Sequence, residues 1–474
     1  MKLSLFAQSV ATTCFLLCLL ANSPAFCCVK IQTSKEDTVQ DLGTRKKGED
    51  WPEFLGLGRD NKSTETGVLK DWSEGKLKIK WVRELTESYG IGSVAKGRFF
   101  QFDRADGREV LLCLHSETGK EIWKKSYVED YRDLYGYNSG PRTSPVIDGD
   151  RVYTYGVAGQ LRCWKVADGS LVWQKDTNKD FGVIQNFFGV GSTPVIYKDL
   201  LICMVGGSPE ESKSVPPGAL DRVKGNGSAI VAFDKLTGVV KYKFSDDLAS
   251  YSSPALARID GSDWCFAFCR GGLVGFDPGS GKERFYYPWR DSQLESVNAS
   301  NPVVIGSNVF ISETYGIGSS FLKVKSGGYE VIWKDEKRSR VRAMETHWNT
   351  AIHHQGHFYG SSGRHTSNAI LKCIDAKTGK EKWKVPGLTR SSLLYADGQF
   401  ICLTEGGRLL MFKANPEKFE LTTQLKLDQA LEVPGYDEPK TLLKYPCWSA
   451  PILAHGLLYV RGPDFLVCLE LIPE

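Results

Sequence analysis

From about residue 51 to the C-terminus, short apolar runs alternate with clusters of Gly, Asp and Asn. No stretch keeps the three-to-four-residue apolar spacing of a long helix, so the pattern predicts strands and tight turns throughout. One phrase recurs: SPVIDGDRVYTYG from Ser144, TPVIYKDLLICMVG from Thr193, SPALARIDGSDWCFAF from Ser253, NPVVIGSNVFIS from Asn301 and APILAHGLLYVRG from Ala450. Each reads as strand, turn, strand.

A second phrase follows each of the first, with one residue of the third strand ten positions before an aromatic. The pairs are Cys113 and Trp123, Cys163 and Trp173, Ala232 and Tyr242, Gly275 and Phe285, Lys323 and Trp333, and Cys373 and Trp383. Met411 and Leu421 form a worn copy, and FLVCLELIPE ends the chain as a half-copy around Cys468. A glycine between the pair (Gly119, Gly169, Gly238, Gly281 or Gly379) suits a turn that needs positive φ. The aromatic is large enough to fill the wedge between neighbouring units, a burial that contributes roughly 1.5–3 kcal/mol. Four strands per unit of about fifty residues is the signature of a propeller blade. Seven copies are complete, and Trp81 in KIKWVREL supplies the aromatic missing from the eighth. The expectation is an all-β, eight-bladed β-propeller of four-stranded blades, its ring closed by an N-terminal strand joining the C-terminal blade. Closure also removes exposed strand edges.

The phrases AFDKLTGVVKY and CIDAKTGKEKW resemble the repeat of pyrroloquinoline-quinone (PQQ)-type β-propellers. WPEFLGLGRDNKSTETG from Trp51 resembles the lead-in of exported bacterial PQQ-like repeat proteins. That family includes quinoprotein alcohol dehydrogenases and the outer-membrane assembly factor BamB. The resemblance covers residues 51–474 and speaks to fold, because the turn glycine and the aromatic are structural parts that enzymes and scaffolds share.

The first residues change the picture of where the chain works. Lys2, an apolar run to Ala21 and small residues after it read as a secretory signal over residues 1–27. The alternative is an uncleaved anchor that tethers the protein to a membrane. Residues 28–50 are polar and charged and read as a disordered linker. The expected compartment is periplasmic or extracellular. Four of the 13 cysteines fall in the leader. The nine that remain cannot all pair, and Cys113, Cys163, Cys373 and Cys468 hold the same position in different blades, so they read as small buried apolar residues. The net charge of +4, with no long basic block, excludes a case for nucleic acid. No nucleophile elbow, P-loop or dinucleotide fingerprint occurs.

The family's dehydrogenases hold the quinone over a tryptophan, with calcium bridging it to a Glu, Asn and Asp set, and many carry two adjacent cysteines above it. Here the only adjacent cysteines are Cys27 and Cys28, in the leader, and no such Glu, Asn and Asp set is identifiable. The long connections are KKSYVEDYRDLYGYNSG, KDEKRSRVRAMETHWN, LDQALEVPGYDEPKTLLKYPCW and the insertion from Gly206 to Gly227, all expected on one face. Long loops on one end of a rigid ring are where binding sites usually form. Residues entering the channel there are Asn138, Arg142, Tyr251, Asn298, Asn301, Glu345, His347, Trp348, Asn349, Arg390, Tyr445 and Trp448. Arg142, Asn298, Glu345, His347, Trp348, Asn349, Arg390 and Trp448 are the candidate ligand residues. Arginines suit planar anions and tryptophan stacks on flat rings. His353, His354 and His357 fall at a tight turn on the opposite face and read as solvated turn residues rather than a metal site. The first reading is a binding or scaffold module, a monomer with a protein or small-molecule ligand at the funnel and peripheral membrane association. The alternative is a PQQ- and calcium-dependent dehydrogenase of alcohols or sugars.

Overall fold

In a computed structural model, which describes residues 39–474 apart from 217, 338 and 434, eight four-stranded antiparallel sheets form the propeller. The expected signal segment lies outside the described residues. Blade one comprises Ser93–Ala95, Arg98–Ala105, Arg108–His115 and Glu121–Val128. The next six span residues 146–176, 195–244, 255–288, 303–334, 352–386 and 391–426. Blade eight takes three strands from residues 452–470, and its outer strand is Ile79–Glu84, with Trp81 opposite Cys468.

The repeated aromatic and glycine turn out to be partners across blades. The indole nitrogen of Trp81 donates to Ser116 O of blade one at 2.8 Å, that of Trp123 to Val166 O at 3.0 Å, and that of Trp333 to Ala376 O at 2.9 Å. Each ring lies on the next blade's turn glycine. A Cβ on Gly119 (φ +67°) would sit 2.7 Å from Trp81, and one on Gly379 (φ +68°) 3.1 Å from Trp333. Glycine is therefore required twice over, by backbone conformation and by the ring above it.

Two of the ten-residue spacings are corrected by the register. In blade five Trp333 faces Phe321, not Lys323, because the hairpin runs two residues longer before a two-residue turn at 326–327. In blade seven Met411 faces Thr423, not Leu421. Its missing aromatic comes from elsewhere: the amide of Trp72 donates to Thr423 Oγ1 at 3.2 Å, and the Trp72 side chain is buried in the cluster that holds Met411.

The polar residue that opens the inner-strand phrase links neighbouring blades. Ser144 N donates to Thr193 Oγ1, Thr193 N to Ser253 Oγ, Ser253 N to Asn301 Oδ1 and Asn301 N to Thr350 Oγ1, at 2.8–3.1 Å. These bonds satisfy buried amides that strand pairing leaves over around the channel.

The lead-in from Trp51 enters the channel. Trp51 pairs with Val94 of blade one, Ile147 N of blade two donates to Pro52 O, and Asn61 and Ser63 bond to Tyr395 of blade seven. The channel is thus closed at one end by residues 51–63. The described part of the expected disordered linker, residues 39–50, is ordered instead. Arg45 is buried, donating to His455 O at 2.7 Å and pairing with Glu470 at 3.0 Å, which straps the segment onto blade eight. All nine cysteines among the described residues are buried and free, and Cys203 and Cys468 have thiol pKa values raised well above the usual range by burial.

Candidate functional site

A cavity of about 730 Å³ opens on the face of the inter-blade connections, and its floor is the lead-in, at Phe54, Leu55 and Asn61. All eight blades or their entry loops reach it. Six of the candidate residues line it: Arg142, His347, Trp348, Asn349, Arg390 and Trp448. Asn298 and Glu345 do not. Asn298 is fully buried, and its amide donates to Cys269 O at 2.7 Å and Trp289 O at 3.2 Å, so it ties loops together behind the wall. Glu345 pairs with Arg342 at 2.8 Å within its own loop. Tyr251 lines the cavity, whereas Asn301 is a link in the inter-blade chain and Tyr445 stands exposed. His354 lies against Tyr395, at 4.4 Å between centroids, in the hairpin of blade six and away from the cavity lining.

Aromatic rings form the wall. Trp448 lies 4.9 Å from Trp348 and from Tyr89, and 5.7 Å from Tyr137. Tyr137 continues to Phe188, and Phe188 to Tyr251. Sequence reasoning missed Tyr89, Tyr137, Phe188, Tyr315 and Arg364. The repeated aromatics in YGYNSG and QNFFGVG were the available signal, but nothing in a non-repeating loop says which way a ring faces.

Each cation of the wall is laid on a ring. The Arg390 guanidinium is 4.4 Å from the Trp348 centroid, Arg142 is 5.5 Å from Tyr89, and Arg364 is 4.4 Å from Tyr315. Two of the three are also neutralised from behind. Arg390 pairs with buried Glu405 at 2.7 Å, and the same carboxylate accepts Trp448 Nε1 at 3.1 Å. Arg142 pairs with buried Asp133 at 2.8 Å, and Asp133 also accepts the amides of Tyr135 and Tyr137. Asp133 thereby folds the loop that presents both tyrosines. The wall is buttressed by the insertion, whose Leu220 packs with Phe187, Val297 and Tyr315, and whose Asp221 bridges Arg270 and Arg290.

His347 touches Trp348 and lies 3.4 Å from the Tyr315 hydroxyl. Burial, with Arg390, Arg364 and His365 nearby, lowers its pKa to about 3. It is neutral at pH 7. The unfolded chain binds a proton near pH 6.5 that the folded protein refuses, so this contribution to stability is complete above 6.5 and is lost as pH falls towards 3. Glu313 works the other way: burial and then Asp291 raise it to about 7, so its contribution fades as pH rises from 4.5 to 7. The difference between wild type and His347→Gln in urea midpoints, measured from pH 3 to 7, isolates the histidine. The wild type is expected to lose stability faster on acidification, with a slope difference of up to about one proton; parallel curves would refute the assignment.

Comparison with curated proteins finds no match. The fold is similar to that of a quinohemoprotein alcohol dehydrogenase from Comamonas testosteroni (TM-score 0.57, 12% identity, covering 90% of this chain and 81% of that one). It is similar also to BamB from Moraxella catarrhalis (TM-score 0.54, 12% identity, covering 83% and 97%). At these identities the likeness concerns architecture. A sequence profile described as "Outer membrane protein assembly factor BamB" matches residues 107–385, more than half of the chain. With the repeat phrases, the eight blades and this match in agreement, the chain belongs to the PQQ-like β-propeller family of that description.

Proposed function

We propose that the chain is an exported binding module whose funnel is the ligand site. The observation that carries this reading is the convergence of rings and three arginines from several blades on one blind, concave cavity, the usual form of a ligand pocket. The export half rests on the leader-like residues 1–27 and on the family's description.

The calcium-quinone alternative is less well supported by the residues present. Calcium takes six to eight oxygen ligands. The lining offers one carboxylate, Glu295, while Glu405 and Asp133 are engaged with arginines. The Asn349 amide nitrogen donates to Ser361 O, and its Oδ1 accepts from His347 N. The donor set does not fit the ion, and no chemical step follows from it. Adding PQQ with calcium is expected to leave the melting temperature unchanged and no quinone absorbance on the desalted protein. A stabilised protein that keeps the absorbance would favour the dehydrogenase instead.

The binding reading has its own test. Tyr137 is 47% exposed and its hydroxyl makes no hydrogen bond among the described residues, so Tyr137→Ser alters the wall without unfolding it. Ligands or partners retained from an envelope extract are expected to be lost from this variant at unchanged melting temperature. The same retained set on both proteins would defeat the reading.

A further inference from the structure

The funnel's charges are unevenly compensated. Arg142 and Arg390 each have a buried carboxylate behind them. Arg364 makes no salt bridge among the described residues; its side-chain hydrogen bond runs to Gln293 Oε1, at 3.2 Å. Glu295, on the same lining, is exposed and makes no salt bridge with it. His347 adds no charge at neutral pH. The wall therefore presents aromatic faces, one cation without a carboxylate partner and, at its exposed rim, the Glu295 carboxylate. Because residues 51–63 close the far end, whatever enters must stop there. A chain cannot thread through, and a small molecule or the end of a chain suits a blind cavity of this size.

Resting on the reading of the funnel as a ligand site, we propose that it takes an aromatic group bearing a single carboxylate, with the ring on the tryptophan–tyrosine wall and the carboxylate on Arg364. A planar guanidinium with free donors pairs bidentately with a carboxylate. One uncompensated cation matches a monoanion; a polycarboxylate would leave charge unpaired in a largely apolar pocket. The shared chemistry has two sources, a free aromatic acid and the C-terminal aromatic residue of a polypeptide.

The test is a calorimetric titration of the full chain with three probes: N-acetyltryptophan, its amide, and a capped pentapeptide ending in tryptophan with a free carboxylate. The acid is expected to bind about tenfold tighter than the amide, the effect of one charge-assisted contact. Arg364→Gln should bring the acid and the amide to equal affinity, and Arg364→Lys should restore part of the preference. Tighter binding of the pentapeptide identifies a chain end as the source; equal or weaker binding identifies a small acid. Equal affinity for acid and amide overturns the proposal but leaves the funnel as a site, provided Tyr137→Ser weakens both. If none of the three probes binds, the proposal falls, and retention of envelope ligands then decides the funnel reading separately.

Discussion

Replacing Arg390 with alanine is expected to destabilise the protein by about 3–5 kcal/mol. The cause is the carboxylate left behind. Glu405 is 1% exposed, and Arg390 meets it through Nε at 2.9 Å and Nη2 at 2.7 Å. With the guanidinium gone, Glu405 keeps the Trp448 indole and the Arg390 amide as donors and has no counter-charge. A buried, unpaired ion costs far more than the pair contributed. The double variant Arg390→Ala with Glu405→Gln should recover at least half the loss, because glutamine keeps an acceptor for Trp448 without the charge. Urea unfolding of the two proteins measures both. A single variant within 1 kcal/mol of wild type would show that the pair is solvated. The same argument makes Arg390 and Arg142 poor probes of binding, since removing either disturbs the wall itself.

Trp81→Ala carries the second large effect, again about 3–5 kcal/mol. Trp81 is the wedge of the blade that joins the two ends of the chain. It is 7% exposed, packs between Phe99 and Tyr459, and holds Ser116 O through its indole nitrogen. Its removal leaves a cavity at the ring's seam and leaves Ser116 O with the Tyr459 hydroxyl, at 3.2 Å, as its side-chain donor. Gly119→Ala strikes the same contact from the other side, where its Cβ would meet the indole at 2.7 Å. In the Trp81→Ala background that clash is gone, and only the left-handed backbone remains, at about 1–2 kcal/mol. A double-mutant cycle should therefore show strong coupling between the two. Additive losses would mean that the glycine serves its turn alone.

These two sites differ in how far they could be read beforehand. The wedge aromatic and the turn glycine were legible because they recur, and recurrence at a fixed spacing marks positions that every blade needs. Even so, Lys323 and Leu421 were paired with Trp333 and Met411 in place of Phe321 and Thr423, since a hairpin two residues longer shifts the register without altering the phrase. The funnel was legible only in part. Residues just before the inner strands can be placed by counting, which located Arg142, His347, Trp348, Arg390 and Trp448 at the cavity. Counting could not tell that Asn298 turns inward to hold carbonyls, or that Tyr137, 311 positions before Trp448, would stand beside it.

The sequence by itself determined the eight-bladed ring, its seam at Trp81 and the identity of all but the blade-seven wedge, because each depends on strand period, turn chemistry and repetition, which are local. Tertiary structure alone decided which charges are spent and which is left over, and that the lead-in closes the channel. Those outcomes depend on side chains from remote loops meeting at one point, where burial, not sequence spacing, sets the pairing of Arg390 with Glu405 and leaves Arg364 without a carboxylate.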